Sequence, residues 1–375
     1  MELGNRNDFI IMKDKIQVSS CSQSAMHKKV KAAILDYVTS WGTNGHDWEM
    51  WMEICEQARI KFAKLINASI NEVAIVTSVS HGSSAIANSL PRLNGKNNIV
   101  LTEMDFPCIG HVWLSQEGYE VLFVSAKDGE IPIDHYEKLI TSKTFMVSIP
   151  HISYYNGFKQ NIKEIAKIAH KNGSYVFIDA YQSAGQVPID VKEMDIDFLV
   201  AGMQKYLLGI PGIAFLYVRK EIADQLTPKI TGWFGQSNPF DFNVKKVEYA
   251  ASARRFDSGT YPMLNGYAAN AALDILLNIG IDKIEMYLKE LSEFAIKYAL
   301  EQELIIKSPL TIDNKGSNTA IYVSEAGKVE KLMKNYGIIA AARKEVIRIA
   351  PHYYNTKEDL KKAIDCIKYI LSGEK

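Results

Sequence analysis

The sequence predicts an α/β protein: a mostly parallel sheet covered by helices on both faces, followed by a smaller α+β unit. Two observations predict the sheet. Short apolar runs at 73–77, 99–102, 145–149, 175–178 and 198–201 alternate with segments of helical periodicity. The runs are apolar throughout rather than every second residue, the pattern of strands buried on both faces. A third observation marks the smaller unit. After about residue 265 the rhythm changes to two long helical segments and then isolated strands.

The elements follow in order. Residues 25–40 and 48–66 carry helical spacing of apolar groups on either side of the turn-like Trp41-Gly42-Thr43-Asn44-Gly45. A strand at 73–77 leads to a helix from about Gly82, and the strand at 99–102 to a helix at 109–117. Buried strands are expected at 121–125 and 145–149. Asn161 caps a helix over 162–171, and Gly173 closes it in the position that favours a left-handed residue. Strands at 175–179, 198–201 and 213–218 complete the sheet. Helices at 266–279 and 284–303 then precede strands at 320–323 and 346–349, which flank a helix at 328–336. Thr356-Lys357-Glu358-Asp359 opens the last helix, 356–371, with a capping box. This divides the chain into a segment 1–24, a large domain 25–265 and a small α+β domain 266–375.

Composition excludes several roles. Hydrophobic residues are 47% and charged residues 23% of 375, ordinary for a globular protein. Lys+Arg and Asp+Glu both number 43, so the basic excess expected for nucleic-acid or membrane-surface binding is missing. No apolar stretch approaches the ~20 residues that span a bilayer. The N-terminus, Met1-Glu2-Leu3-Gly4-Asn5-Arg6, lacks the layout of a signal peptide. Cys21, Cys55, Cys108 and Cys366 are widely spaced, as reduced thiols of a cytoplasmic protein are. The eight histidines show no metal-ligand spacing, and no Gly-x-Gly-x-x-Gly turn follows an early strand. A metal site and a nicotinamide site are not expected.

Asp179 and Lys205 stand where apolar strands end, in Tyr175-Val176-Phe177-Ile178-Asp179 and in Phe198-Leu199-Val200-Ala201-Gly202-Met203-Gln204-Lys205. Ligands of open α/β sheets bind at the carboxyl ends of strands. Singly, Lys205 reads as a solvated lysine and Asp179 as a helix cap. Together they suit pyridoxal phosphate, which needs a lysine for a Schiff base and an acid to keep its ring nitrogen protonated.

The stretch Ile178-Asp179-Ala180-Tyr181-Gln182-Ser183-Ala184-Gly185-Gln186-Val187-Pro188-Ile189-Asp190-Val191 resembles the core signature of class V aminotransferase-like enzymes. These are pyridoxal-phosphate enzymes of fold type I, with a seven-stranded type of sheet, and include cysteine desulfurases, kynureninase and isopenicillin N epimerase. The resemblance continues through Leu208-Gly209-Ile210-Pro211-Gly212, Arg255-Phe256-Asp257-Ser258-Gly259-Thr260 and Arg348-Ile349-Ala350-Pro351-His352-Tyr353-Tyr354-Asn355-Thr356. It implies that Lys205 holds the cofactor and moves protons at the substrate α-carbon, that Asp179 pairs with the ring nitrogen, and that Gln182 reaches the ring hydroxyl. Ser80 and His81, at a strand-to-helix turn, suit the phosphate. Phe106 falls where the family stacks an aromatic ring on the cofactor, although an ordinary loop phenylalanine fits the residue equally. Thr260 corresponds to a position that reaches the neighbouring subunit's phosphate, which implies a homodimer. Arg348 is the favoured clamp for a substrate α-carboxylate, and Arg343 the second candidate.

The departures bear on the reaction. Ala341-Ala342-Arg343-Lys344-Glu345 contains no cysteine where desulfurases carry their nucleophile. Phe106 and Tyr154 replace a histidine and an asparagine of desulfurases at the cofactor, Gln204 the histidine before the lysine, and Gly202 a phosphate-binding serine. These changes favour the kynureninase and epimerase branch and weaken the phosphate cup. The expectation is an enzyme acting on an α-amino acid by transamination. A β-lyase (desulfurase-like or C–S lyase) or an epimerase is the alternative, and a non-catalytic binding homologue stands behind both.

Overall fold

Residues 3–373 are described by a computed structural model of the chain; residues 1–2 and 374–375, the ends of the first and last expected segments, lie outside the described residues. A two-residue strand β1 (Ile16–Gln17) precedes helices α1 (Lys28–Asn44) and α2 (Trp48–Leu65). The large domain then runs β2 (Val73–Val76), α3 (Val79–Ala87), β3 (Asn98–Thr102), α4 (Pro107–Leu114), β4 (Glu120–Val124), α5 (Ile133–Leu139), β5 (Thr144–Pro150), α6 (Ile162–Lys171), β6 (Tyr175–Asp179), β7 (Phe198–Gly202), β8 (Ala214–Val218) and α7 (Lys220–Ala223).

The large sheet has seven strands in the order β2-β8-β7-β6-β5-β3-β4. Strands β3 to β7 pair in parallel, whereas β8 is antiparallel to both β7 and β2. A parallel return needs a long crossover, usually a helix. Only residues 203–213 separate β7 from β8, and they form the loop carrying Lys205 instead.

Successive strand residues supply opposite faces. Ile75, Leu199, Ala201 and Phe215 join the core under α2, α6 and α8 (Met263–Ile279), while Ala74, Phe198, Val200 and Leu216 join the core under α3 and α4. The expectation that β4 is a buried strand is corrected. It is the edge strand, with Phe123 44% exposed, because nothing pairs beyond it.

After α8 come α9 (Ile281–Glu301), β9 (Thr319–Tyr322), α10 (Ala326–Asn335), β10 (Ile338–Ile339), β11 (Ala341–Arg343), β12 (Val346–Ile349) and α11 (Lys357–Ser372). β11, β12 and β9 form an antiparallel sheet. Thr356 and Asp359 form the expected capping box. Residues 16–19 are woven into this half: β1 pairs in parallel with β10, and Ser19 bridges Ala350. α5, α7, β1, β10 and β11 escaped the sequence reading, since the three strands have two or three residues, α7 four and α5 seven. Helix α3 begins at Val79 rather than near Gly82, which moves Ser80 and His81 from the turn into the first helical turn.

Candidate active site

Asp179 closes β6 with its side chain buried, and Lys205 follows β7 by three residues. One carboxylate oxygen of Asp179 accepts the Tyr181 backbone N–H at 2.8 Å, and the other has no protein donor. Burial raises the proton affinity of Asp179, opposed by the Tyr181 N–H and by Lys205. The Lys205 amine makes no hydrogen bond among the described residues. Its Nζ lies 4.0 Å from the centroid of the Tyr181 ring and 5.6 Å from that of Phe106. Burial pulls its pKa down to about 8; Asp179 opposes this, and the nearby Arg348 adds to it. The backbone behind it is pinned by Ser24, whose hydroxyl donates to the Lys205 carbonyl at 2.6 Å, and by a tight turn in which Leu208 takes φ 61°. A non-glycine residue held there costs on the order of 1 kcal/mol or more.

The strand-to-helix turn offers an anion a partial cup. Ser78, not Ser80, caps α3: its hydroxyl accepts the His81 N–H at 3.0 Å. The Thr77 N–H donates to His81 Nδ1 at 3.3 Å, with the Thr77 hydroxyl 3.1 Å from the same nitrogen, an arrangement that assigns the proton of the neutral imidazole to Nε2. That Nε2 is buried without a partner. Burial keeps the ring neutral. Ser80, exposed on the first turn, interacts with the thiol of Cys108, whose pKa is pushed up to about 11 by burial and by Asp179.

Gly202 explains itself here. A Cβ on it would stand 2.5–2.7 Å from the ring and hydroxyl of Tyr181, so the phenol fills the room that a side chain at 202 would take. The Tyr181 phenol is a neutral donor, its pKa raised to about 12 by burial and by Asp179.

Arg348, on β12, is 1% exposed and has no acidic partner among the described residues. Its guanidinium donates to three neutral oxygens: Ala341 O at 3.3 Å, Tyr154 O at 2.8 Å and Ser22 Oγ at 2.8 Å. The Tyr154 ring packs edge-on against Phe106, with centroids 5.1 Å apart. Gln182 donates one amide N–H to the Cys21 carbonyl at 2.9 Å, and Gln204 reaches the Ser22 carbonyl at 3.4 Å. The fold thus gathers Asp179, Gln182, Lys205, Phe106, Tyr154, Gln204 and Arg348, with Ser80 beside them through Cys108. Arg343 shares the hairpin face of Arg348, by the pairing of Ala341 with Arg348 and of Arg343 with Val346, but it is exposed and has none of Arg348's contacts. Thr260 is exposed and makes no hydrogen bond among the described residues.

Sequence reasoning missed Tyr181, Cys108 and the segment 21–24. Tyr181 lies inside the quoted signature, and its pairing with a glycine at 202 was the available signal. Nothing local distinguishes Ser22 or Ser24.

Comparison with known proteins accords with this geometry. The model of the family described as aminotransferase class-V matches residues 19–362. An uncharacterized aminotransferase, YcbU of Bacillus subtilis, is 44% identical over 360 residues, covering 96% of this chain and 95% of its own. A kynureninase of Bacillus cereus is 25% identical, covering 98% and 91%. Among solved structures, the apo cysteine desulfurase of Thermococcus onnurineus superposes with a TM-score of 0.87 at 21% identity, over 98% of both chains.

Proposed function

Because the chain belongs to the class V aminotransferase family, we propose that it moves the amino group of an α-amino acid, with pyridoxal phosphate held at Lys205. It is a pyridoxal-phosphate-dependent enzyme of fold type I. The observation that carries the reading is the Asp179–Lys205 pair: a buried carboxylate with one oxygen free, and a desolvated amine without a hydrogen bond.

The residues fit the cofactor. The free oxygen of Asp179 suits a protonated ring nitrogen. The orphaned His81 Nε2–H, the first turn of α3 and the Tyr181 phenol suit a phosphate; in this reading the phenol replaces the serine hydroxyl that Gly202 lacks. When bound, the cofactor supplies an electron sink for a carbanion at the substrate α-carbon.

The chain's own groups do the rest. A pKa of about 8 leaves Lys205 a usable fraction of free amine near neutral pH, so it can take the α-proton and return it elsewhere. Arg348, a buried cation without an acid, suits the α-carboxylate, and Arg343 stands further out on the same face. Cys108 is the cysteine beside the Asp179–Lys205 pair that is partly exposed, and its raised pKa keeps it a thiol, a poor nucleophile. Together with the cysteine-free hairpin at 341–345, this favours transamination over desulfuration. Thr260 and the exposed Phe240, Phe242 and Val244 suit a face buried in a second copy, so a homodimer is part of the reading. A cytoplasmic location is also part of it; no helix among the described residues is long and apolar enough to cross a membrane.

Single amino acids incubated with the yellow holoenzyme test the branch. Transamination bleaches the visible band as the cofactor takes its amine form. Sustained release of ammonia and a 2-oxo acid, with the band restored, would overturn transamination in favour of β-elimination.

A further inference from the structure

Three residues of one short segment near the N-terminus, Cys21, Ser22 and Ser24, touch the site. The Cys21 carbonyl accepts from Gln182 at 2.9 Å, the Ser22 hydroxyl accepts from Arg348 Nη2 at 2.8 Å, and the Ser24 hydroxyl donates to the Lys205 carbonyl at 2.6 Å. The Ser24 N–H also binds the Gln204 carbonyl at 3.2 Å. The strap is itself held on the small unit: the Ser20 hydroxyl meets Tyr354 Oη at 3.0 Å, and the Ala25 N–H donates to the same oxygen at 3.0 Å. Segment 20–25 therefore ties the Lys205 loop to the strand that carries Arg348.

We infer that Ser22 is a positioning residue for substrate recognition: its hydroxyl holds the Arg348 guanidinium in place without neutralising it, so that the charge stays available to a substrate carboxylate. A buried arginine is ordinarily paired with an acid. Arg348 has three neutral oxygens instead, which use three of its five N–H donors and leave two for a carboxylate. Ser22 is the one side chain among these three acceptors, the other two being backbone carbonyls that no substitution removes. An aspartate there would satisfy Arg348 permanently. The inference rests on the carboxylate role proposed above for Arg348.

Three variants test it: Ser22→Ala, Ser22→Thr and Ser22→Asp. S22A loses one hydrogen bond to a charged group, so KM for the amino-acid substrate should rise roughly tenfold with kcat nearly unchanged. S22T keeps the hydroxyl and should restore KM. S22D should raise KM by about a hundredfold or more while the visible cofactor band persists, which also shows that the protein has folded. A second readout needs neither cofactor nor turnover. Propionate titrated into the cofactor-free protein should shift the Arg348 Nε–Hε NMR signal in wild type and S22T, and leave S22D unmoved. An Arg348 signal insensitive to propionate in wild type, or equal responses in wild type and S22D, overturns the inference. So does an S22D enzyme with wild-type KM. If propionate discriminates the variants but no amino acid is turned over, the positioning role stands and the proposed reaction falls.

Discussion

Two clusters of buried charge in this protein are built on opposite principles. Arg59 is fully buried against Asp257, 1% exposed, at 2.7 Å; it also donates to the Val73 carbonyl at 2.7 Å, Glu56 at 3.1 Å and Tyr261 Oη at 2.8 Å. Asp257 in turn takes the Ile75 N–H at 2.8 Å, and Arg254 closes on Glu56 at 2.7 Å. Apart from the Arg59 Nε, every side-chain nitrogen and oxygen of that Arg59–Asp257 pair has a partner. The second cluster holds Asp179, Lys205 and Arg348, where the amine has no hydrogen bond, the carboxylate has a free oxygen and the guanidinium has no acid. Desolvation costs both clusters heavily. The first recovers the cost within the chain, whereas in the proposed function the second leaves it to a ligand. The difference separates the parts of the family signature: Asp257 fastens α2 to β2, and Arg255 holds the turn at Asp224 and Leu226, while Asp179 and Lys205 keep polar atoms that the chain leaves unpaired.

Substitutions in the two clusters should therefore fail differently. Lys205→Ala is expected to lower activity on the order of 10⁴-fold or more, since in the proposed reaction the residue is both anchor and proton carrier, with little change in the melting temperature. Steady-state assays beside thermal melts check it, and retention of a tenth of the activity would assign the anchor to another lysine. Arg59→Met shows the converse. It strands Asp257 without its cation and should cost about 3–5 kcal/mol in urea unfolding, and what folds should still bind cofactor. Loss of the visible band in fully folded R59M protein would blur the distinction between the clusters.

Smaller effects sharpen it. Tyr181→Phe keeps the ring over Lys205 and removes only the hydroxyl, so cofactor affinity should fall by about 1.5–3 kcal/mol, the range for a hydrogen bond to a charged group. An unchanged dissociation constant would leave the phosphate to α3 and His81 alone. The smallest effect lies at the far end of the sheet. His170 donates to Asp197 and Asp195 at 2.9 and 2.8 Å, and these bonds hold its pKa above the usual value, Asp197 first. A raised histidine stabilises the fold fully below its unfolded pKa of about 6.5, and the contribution fades as pH rises through the higher folded value. The stability difference between wild type and His170→Gln should thus shrink as pH rises above about 6.5; a constant difference would show a packing effect instead.

Much of this architecture is legible in the sequence because its signals are local. Five apolar residues in a row declare a strand such as β7 whatever surrounds them, and Asn161 and Thr356 announce helix starts within four residues. Asp179, Lys205 and Arg348 could be singled out because each sits in or beside a strand read from its own neighbours. The short elements β1, β10 and β11 could not, since pairing partners rather than propensity stabilise two or three residues of strand.

By itself, then, the sequence determined an alternating α/β core, the strand ends that bear a carboxylate and an amine, and the resemblance that assigns them to pyridoxal phosphate. Only the tertiary structure decided that β8 runs antiparallel, that Tyr181 fills the space beside Gly202, and that Ser22 holds Arg348 from 326 positions away in the chain. The physical reason is range. Periodicity and capping act over a few residues, whereas a hydrogen bond between distant residues exists only once the cores on both faces of the sheet have packed and brought the chain's two ends together.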